Sequence, residues 1–153
     1  MKPTKVLMVC LGNICRSPLA EGILKSKLDS KNIQVDSAGT GAYHVGNLPD
    51  SRSIQVAKKY GIDITDQRAR KIQVSDLSTF DYIYAMDESN YRNILTLAST
   101  EAEKAKVFMI MNELHPGEDI SVPDPYYGEG NGFENVYQML DKACEVIIQK
   151  ISQ

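Results

Sequence analysis

A cysteine and an arginine stand six positions apart near the start of the chain, in Cys10-Leu11-Gly12-Asn13-Ile14-Cys15-Arg16-Ser17-Pro18. A thiolate is a strong nucleophile, and a guanidinium is a planar fork that matches two oxygens of a phosphate. The bare spacing is weak, because it recurs by chance; its setting gives it weight. The apolar run Val6-Leu7-Met8-Val9 before it reads as a strand. Ser17-Pro18 reads as the opening of a helix, with Ser17 as N-cap and Pro18 at the first helical position. A strand-to-helix turn aims several backbone N–H groups and the helix dipole at one point, which makes an anion site. Gly12 and Asn13 tolerate the positive φ that curls such a loop. The same positive field favours the thiolate of Cys10, and Ser17 is a candidate hydroxyl donor to it.

On position alone Cys10 would be an ordinary buried strand cysteine. The Gly, Asn, Arg and Ser-Pro in register behind it favour the catalytic reading. Cys15 has two readings, as a loop thiol packed near the site or as a partner that forms a reversible disulfide with oxidised Cys10. Cys144 falls on an apolar helical stripe and reads as core.

Phosphoryl transfer to a thiolate requires protonation of the leaving oxygen and then activation of a water, and one carboxylate can do both in turn. Asp124, in Val122-Pro123-Asp124-Pro125-Tyr126-Tyr127, is the candidate. Its flanking prolines restrict the backbone, and Tyr126 and Tyr127 suit an opening that accepts an aromatic ring. In isolation the same segment is a common surface turn.

The elements that must hold these residues alternate. Strands are expected at 5–9, 33–37, 82–86 and 107–111. Helices are expected after Ser17, over 51–60 with Gly61 closing it, after an Asp87 cap, and over the stripe from Phe133 to Ile151. Strands separated by helices imply an α/β fold: a parallel sheet with helices on both faces, and ligands at the carboxyl ends of its strands. Residues 112–132, rich in Pro and Gly, form a long connection of the kind that is often functional.

The chain of 153 residues fits a single domain over 1–153, and its net charge of −3 offers no general attraction to nucleic acid or to an acidic membrane. Three cysteines, an odd number, argue for reduced thiols, and the short N-terminal apolar run is unlike a secretory signal; the expected compartment is cytoplasmic. His44 and His115 read as isolated from each other and from the cysteines, and no metal-ligand spacing is present.

Taken together these segments resemble the low-molecular-weight protein tyrosine phosphatases. Val9 to Pro18 matches that family's phosphate loop at every place, and Asp124-Pro125-Tyr126-Tyr127 its acid loop. Phe80-Asp81-Tyr82-Ile83, Met86-Asp87-Glu88-Ser89-Asn90 and Asp36-Ser37 also look like family segments. The resemblance implies a four-stranded parallel sheet with the phosphate loop, Leu11 to Arg16, between first strand and first helix. It implies Cys10 as nucleophile, Arg16 as phosphate ligand and Asp124 as acid and then base. Asn13 and Ser37 would shape the loop in a hydrogen-bonded network, and Ser17 would assist Cys10. No metal or organic cofactor is implied, and the partner would be a tyrosine-phosphorylated protein or peptide.

One departure stands out. Many members carry a His just before the Ala-Arg pair that aligns with Ala69-Arg70, and here Gln67 takes its place. The specificity loop falls at Ala42-Tyr43-His44-Val45-Gly46, where Tyr43 is a candidate to flank a substrate ring. With Leu11, Ile14 and Tyr126 it would favour phosphotyrosine. Relatives that act on phosphoarginine typically carry Thr where this chain has Ile14. An arsenate reductase of the same fold would need two further relay cysteines, and a binding module would not need Cys10, Arg16 and Asp124 together.

Overall fold

The computed structural model describes residues 2–28, 32–126 and 131–152. Four parallel strands, β1 (Thr4–Cys10), β2 (Ile33–Gly39), β3 (Tyr82–Ala85) and β4 (Val107–Met109), form one sheet in the order β2-β1-β3-β4. β1 is central, and its alternating side chains enter two different cores, which is why the run Val6 to Val9 is apolar throughout. Val6 and Met8 face α1 (Arg16–Lys27), α2 (Ser51–Lys59) and α6 (Gly132–Ile151), meeting Leu19, Ile23, Val56, Leu140 and Ile147. Leu7 and Val9 face the opposite layer, where Leu77 of α3 (Asp76–Thr79) and Ile94 of α4 (Glu88–Leu95) are buried. The sheet is thus covered by helices on both faces, as expected from the sequence.

The strand order places a topological switch beside β1, since the chain leaves it for β2 on one side and later returns as β3 on the other. Loops leaving the carboxyl ends of β1 and β3 therefore diverge and leave a crevice. Two aspartates start the neighbouring helices as caps. Asp50 accepts from Arg52 N and opens α2, and Asp87 accepts from Asn90 N and opens α4.

The structure corrects the expectations in two places and adds two short helices. The fourth strand ends at Met109 rather than Met111, because its neighbour β3 stops at Ala85, opposite Met109; with nothing to pair with, Ile110–Glu113 tightens into a 3₁₀ turn. α1 begins at Arg16, and Ser17 makes no cap, its hydroxyl being turned inward instead. Two four-residue helices, α3 and α5 (Glu101–Lys104), were not legible, being shorter than one apolar repeat.

The end of β2 supports the loop that follows β1. Thr40 N donates to Cys10 O and Gly41 N to Leu11 O, both at 2.9 Å. Gly39 is needed there: a Cβ on it would lie 2.7 Å from Leu11 O and 3.1 Å from Gly12 C, backbone atoms that cannot swing aside. Gly39→Ala is expected to destabilise the protein by about 1–3 kcal/mol, read from denaturant unfolding, because the loop must be displaced to admit the methyl group.

Candidate active site

The loop from Leu11 to Cys15 curls because Asn13 takes a left-handed conformation (φ 58°) and its buried side chain fills the centre of the curl. Asn13 Oδ1 accepts from Arg70 N at 3.0 Å, which fixes the amide orientation. Asn13 Nδ2 then donates to Ser17 Oγ at 2.8 Å and to Ser37 Oγ at 2.9 Å. Ser37 in turn donates to Glu21 Oε1 at 2.6 Å. Ser17 Oγ accepts from Asn13 Nδ2 and lies 3.0 Å from Cys10 Sγ, within reach for its own proton to be donated to the sulfur. Ser17 N also approaches that sulfur, at 3.5 Å. Every donor in this chain is oriented so that the last one points at Cys10, which is 2% exposed.

Arg16 is buried beneath the same loop. Its Nη1 donates to Asp87 Oδ2 at 2.7 Å and to Val122 O at 2.9 Å, and its Nη2 lies 3.9 Å from Asp124 Oδ2. A buried guanidinium is tolerable when it is paired and hydrogen-bonded. Here the partners come from the end of β3 and from the segment before Asp124, so the charge ties three chain segments together. Asp87 does two jobs, one oxygen capping α4 and the other holding Arg16.

These groups open on a cavity of about 410 Å³. Cys10 and Arg16 reach it from below, with Gly12 and Cys15; Leu11 and Ile14 line it from the loop, and Asp124 from the acid segment. Tyr43, 76% exposed, and Tyr126 stand at its rim. Asp124 is about a third exposed, and its Oδ1 accepts from Tyr126 N at 3.0 Å. Asn13, Ser17 and Ser37 lie beneath and bond the loop. Tyr127 falls outside the described residues. Among the described residues no group of three or more His, Cys, Asp or Glu is placed to hold a metal ion. Nor is any helix among them long and apolar enough to cross a membrane.

Three features went unread. His44, taken from the sequence as remote from the cysteines, lines the cavity with Cys10 and Cys15. Its imidazole packs over the loop so closely that a Cβ on Gly12 would lie 3.0 Å from His44 Cδ2. Glu21 is 4% exposed and ends the network below Cys10. Its sequence signal was its place four residues after Ser17, on the same helical face. Gln67 does not join the network: its Nε2 donates to Pro18 O at 3.1 Å, while its buried Oε1 has no hydrogen-bond partner among the described residues. Cys15 and Cys144 differ in position but not in direction. Burial, then the Asp50 carboxylate and Cys10, push the Cys15 thiol up to about 12. Burial in the α1–α6 core also raises Cys144, which is core as expected.

Burial also raises the Glu21 carboxyl above its ordinary range, offset in part by hydrogen bonds from Lys25 and Ser37. A carboxyl whose folded pKa is raised contributes stability at pH below its unfolded value, and that contribution is lost as pH rises through the folded value. Glu21→Gln does not titrate. The variant is therefore expected to gain stability relative to wild type as pH rises from about 4 to about 7, measured as unfolding midpoints across that range. A difference independent of pH would contradict this reading of Glu21.

Residues 5–153 match the family described as low molecular weight phosphotyrosine protein phosphatase. A low molecular weight phosphotyrosine protein phosphatase of Schizosaccharomyces pombe is 46% identical over 146 residues, covering 92% of each chain. The crystal structure of a protein tyrosine phosphatase from Entamoeba histolytica, with Hepes in its active site, superposes with a TM-score of 0.90 at 40% identity, covering 97% of each chain. A Drosophila arginine phosphatase superposes with a TM-score of 0.89 at 36% identity, covering 98% of this chain and 99% of its own. The match spans nearly the whole length on both sides and includes the loop, the acid segment and the sheet that carries them. This chain therefore belongs to the low molecular weight phosphotyrosine protein phosphatase family and is an enzyme with phosphatase activity.

Proposed function

We propose that the enzyme hydrolyses phosphotyrosine monoesters on proteins through a cysteinyl-phosphate intermediate. The observation that carries this reading is the Cys10 sulfur at the base of the cavity, hydrogen-bonded by Ser17, with Asp124 3.9 Å from Arg16 on the same cavity. The phosphate dianion sits in the loop with its oxygens on backbone N–H groups and the guanidinium of Arg16. Cys10 Sγ attacks phosphorus in line, an S–P bond forms, and the bond to the phenolic oxygen breaks. Asp124 gives its proton to that oxygen, so that a neutral phenol departs. The Asp124 carboxylate then takes a proton from water as the water attacks phosphorus. The S–P bond breaks, inorganic phosphate leaves, and the Cys10 thiolate and the Asp124 acid are restored. Ser17 stabilises the thiolate at both ends of the cycle.

Substrate class is assigned from depth and lining. An aryl ester is long enough for its phosphorus to reach Cys10 while its ring lies against Leu11, Ile14, Tyr43 and Tyr126, all of which line the cavity. Phosphoserine is too short to gain those contacts. The Drosophila relative's name supports phosphoarginine as a second reading, but the apolar branch of Ile14 suits a ring better than a guanidinium. An arsenate reductase relay lacks its cysteines, since Cys144 is sealed in the core. Three free thiols suit a reducing, cytoplasmic setting.

Cys10→Ser is expected to abolish turnover of aryl phosphates while the folded protein still binds inorganic phosphate, measured by turnover and by phosphate-dependent thermal stabilisation. Asp124→Ala is expected to slow kcat/KM by about 10²- to 10⁴-fold for poor leaving groups and far less for good ones. In matched phosphopeptides, wild type should prefer phosphotyrosine over phosphoarginine, and Ile14→Thr should shift that ratio by roughly tenfold or more toward phosphoarginine. A wild-type preference for phosphoarginine would overturn the substrate assignment and leave the Cys10 chemistry standing.

A further inference from the structure

Beside the cavity, one arginine is held in a setting that neither phosphate binding nor proton transfer requires. Arg52 lies in the first turn of α2, and its guanidinium is fixed by a two-point bond to Asp50: Nε to Oδ1 at 3.0 Å and Nη2 to Oδ2 at 2.9 Å. Asp50 is itself tied to the phosphate loop, its backbone N donating to Ile14 O at 2.8 Å. The other side of the guanidinium meets two aromatic rings. Its Cζ is 5.5 Å from the centre of Tyr126 and 4.6 Å from that of Phe133. Phe133, at the start of α6, packs on Ile14, Cys15 and Ala69 beneath the loop. Tyr126, in turn, donates its backbone N to Asp124 Oδ1. A continuous set of contacts thus runs from Ile14 through Asp50, Arg52 and Tyr126 to Asp124.

We propose that Arg52 is a positioning residue for the acid segment: by holding Tyr126 it sets where the Asp124 carboxyl lies over the phosphate loop. The proposal rests on the reading of Asp124 as the acid. A planar guanidinium suits the role, because its edge engages a carboxylate in two bonds while its face engages a ring. Asp50 takes the Nε proton and one on Nη2 and offsets the charge, while the Phe133 and Tyr126 rings lie within reach of the guanidinium. Arg52 bonds Asp50 and packs on Phe133 and Tyr126; of these, Tyr126 is the one hydrogen-bonded to Asp124, which makes it the route to proton transfer.

The test separates positioning from a general structural role and from contact with a peptide substrate. kcat/KM is measured for wild type, Arg52→Leu, Arg52→Lys, Asp124→Ala and Arg52→Leu/Asp124→Ala on small aryl phosphates whose phenols span several units of acidity. Small esters have no flanking peptide for Arg52 to touch. Arg52→Leu is expected to lose about five- to twentyfold on the poorest leaving group and less than about twofold on the best. Arg52→Lys, which keeps the charge but not the fork, should fall between. The double variant should be no slower than Asp124→Ala, since a misplaced acid cannot be lost twice. If Asp124→Ala steepens the leaving-group dependence and Arg52→Leu lowers all esters equally or none, the positioning role is overturned. If Asp124→Ala itself leaves the dependence unchanged, the acid assignment fails first, and this proposal with it. Should Arg52→Leu not fold, Tyr126→Leu removes the other half of the contact. It is expected to steepen the same dependence, and an unchanged dependence there would overturn the proposal.

Discussion

Asn13 is the residue on which the rest of the site hangs. A left-handed backbone costs a non-glycine residue free energy, and asparagine is among the few side chains that offset it with local hydrogen bonds. Here the offset comes from outside the loop. Its oxygen accepts from Arg70 N and its two donor protons go to Ser17 and Ser37, so both polar atoms of the amide are bonded. The backbone that bends around Asn13 is the same backbone that lines the cavity. Glycine would take the φ but could not hold three elements in register.

Arg70 N is supplied by a segment that continues β2's edge, with Gly39 N bonded to Arg70 O and Ile72 N to Gly39 O. The Arg70 guanidinium bonds Asp36 and Asp76 and so pins that segment to both β2 and α3. On the other side, Arg16 bonds Asp87 and Val122 O and draws in the segment that leads to Asp124. One arginine therefore braces the loop from behind through its backbone, and another from below through its charge. Both are paired with carboxylates held by regular elements, Asp87 and Asp76 at helix starts and Asp36 within β2, which is how a buried or half-buried cation becomes part of a scaffold.

What could be read from the chain beforehand was whatever is local. Cys10, Arg16 and Asp124 each sit in short segments whose glycine, proline and helix-opening residues declare a shape, and the two-sided burial of β1 follows from its unbroken apolar run. Pairings across the fold were not legible. Asp87 was recognised as a cap because it precedes the helical run through Tyr91, Ile94 and Leu95, but nothing near it signals that its second oxygen meets Arg16. Lys25 and Glu21 have the spacing of an ordinary surface pair, and only the approach of Ser37 on β2 turns Glu21 into the buried end of a network. His44 lay in a loop already suspected of contacting substrate, yet its distance along the chain from Cys10 hid that the loop folds back over Gly12. Ser17 was placed two positions off as a cap, because a hydroxyl before proline usually serves the helix, whereas here it faces the sulfur.

The close fit of Gly39 against Leu11 and Gly12 has a consequence for how selectivity can be distributed. A loop packed so tightly that one methyl group would displace it cannot adjust its curvature to the ligand. On the proposed reading of the loop as a phosphate site, it would offer the same tetrahedral mould to every oxyanion of suitable size, with little ordering entropy opposing occupancy. Discrimination among esters is then delegated to the walls and rim: the outward side chain of Ile14, the Tyr43-His44 segment and Tyr126. Such a division lets the specificity surface drift through substitutions that leave the mould untouched, so that one invariant receptor for phosphate can sit beneath many different entrances.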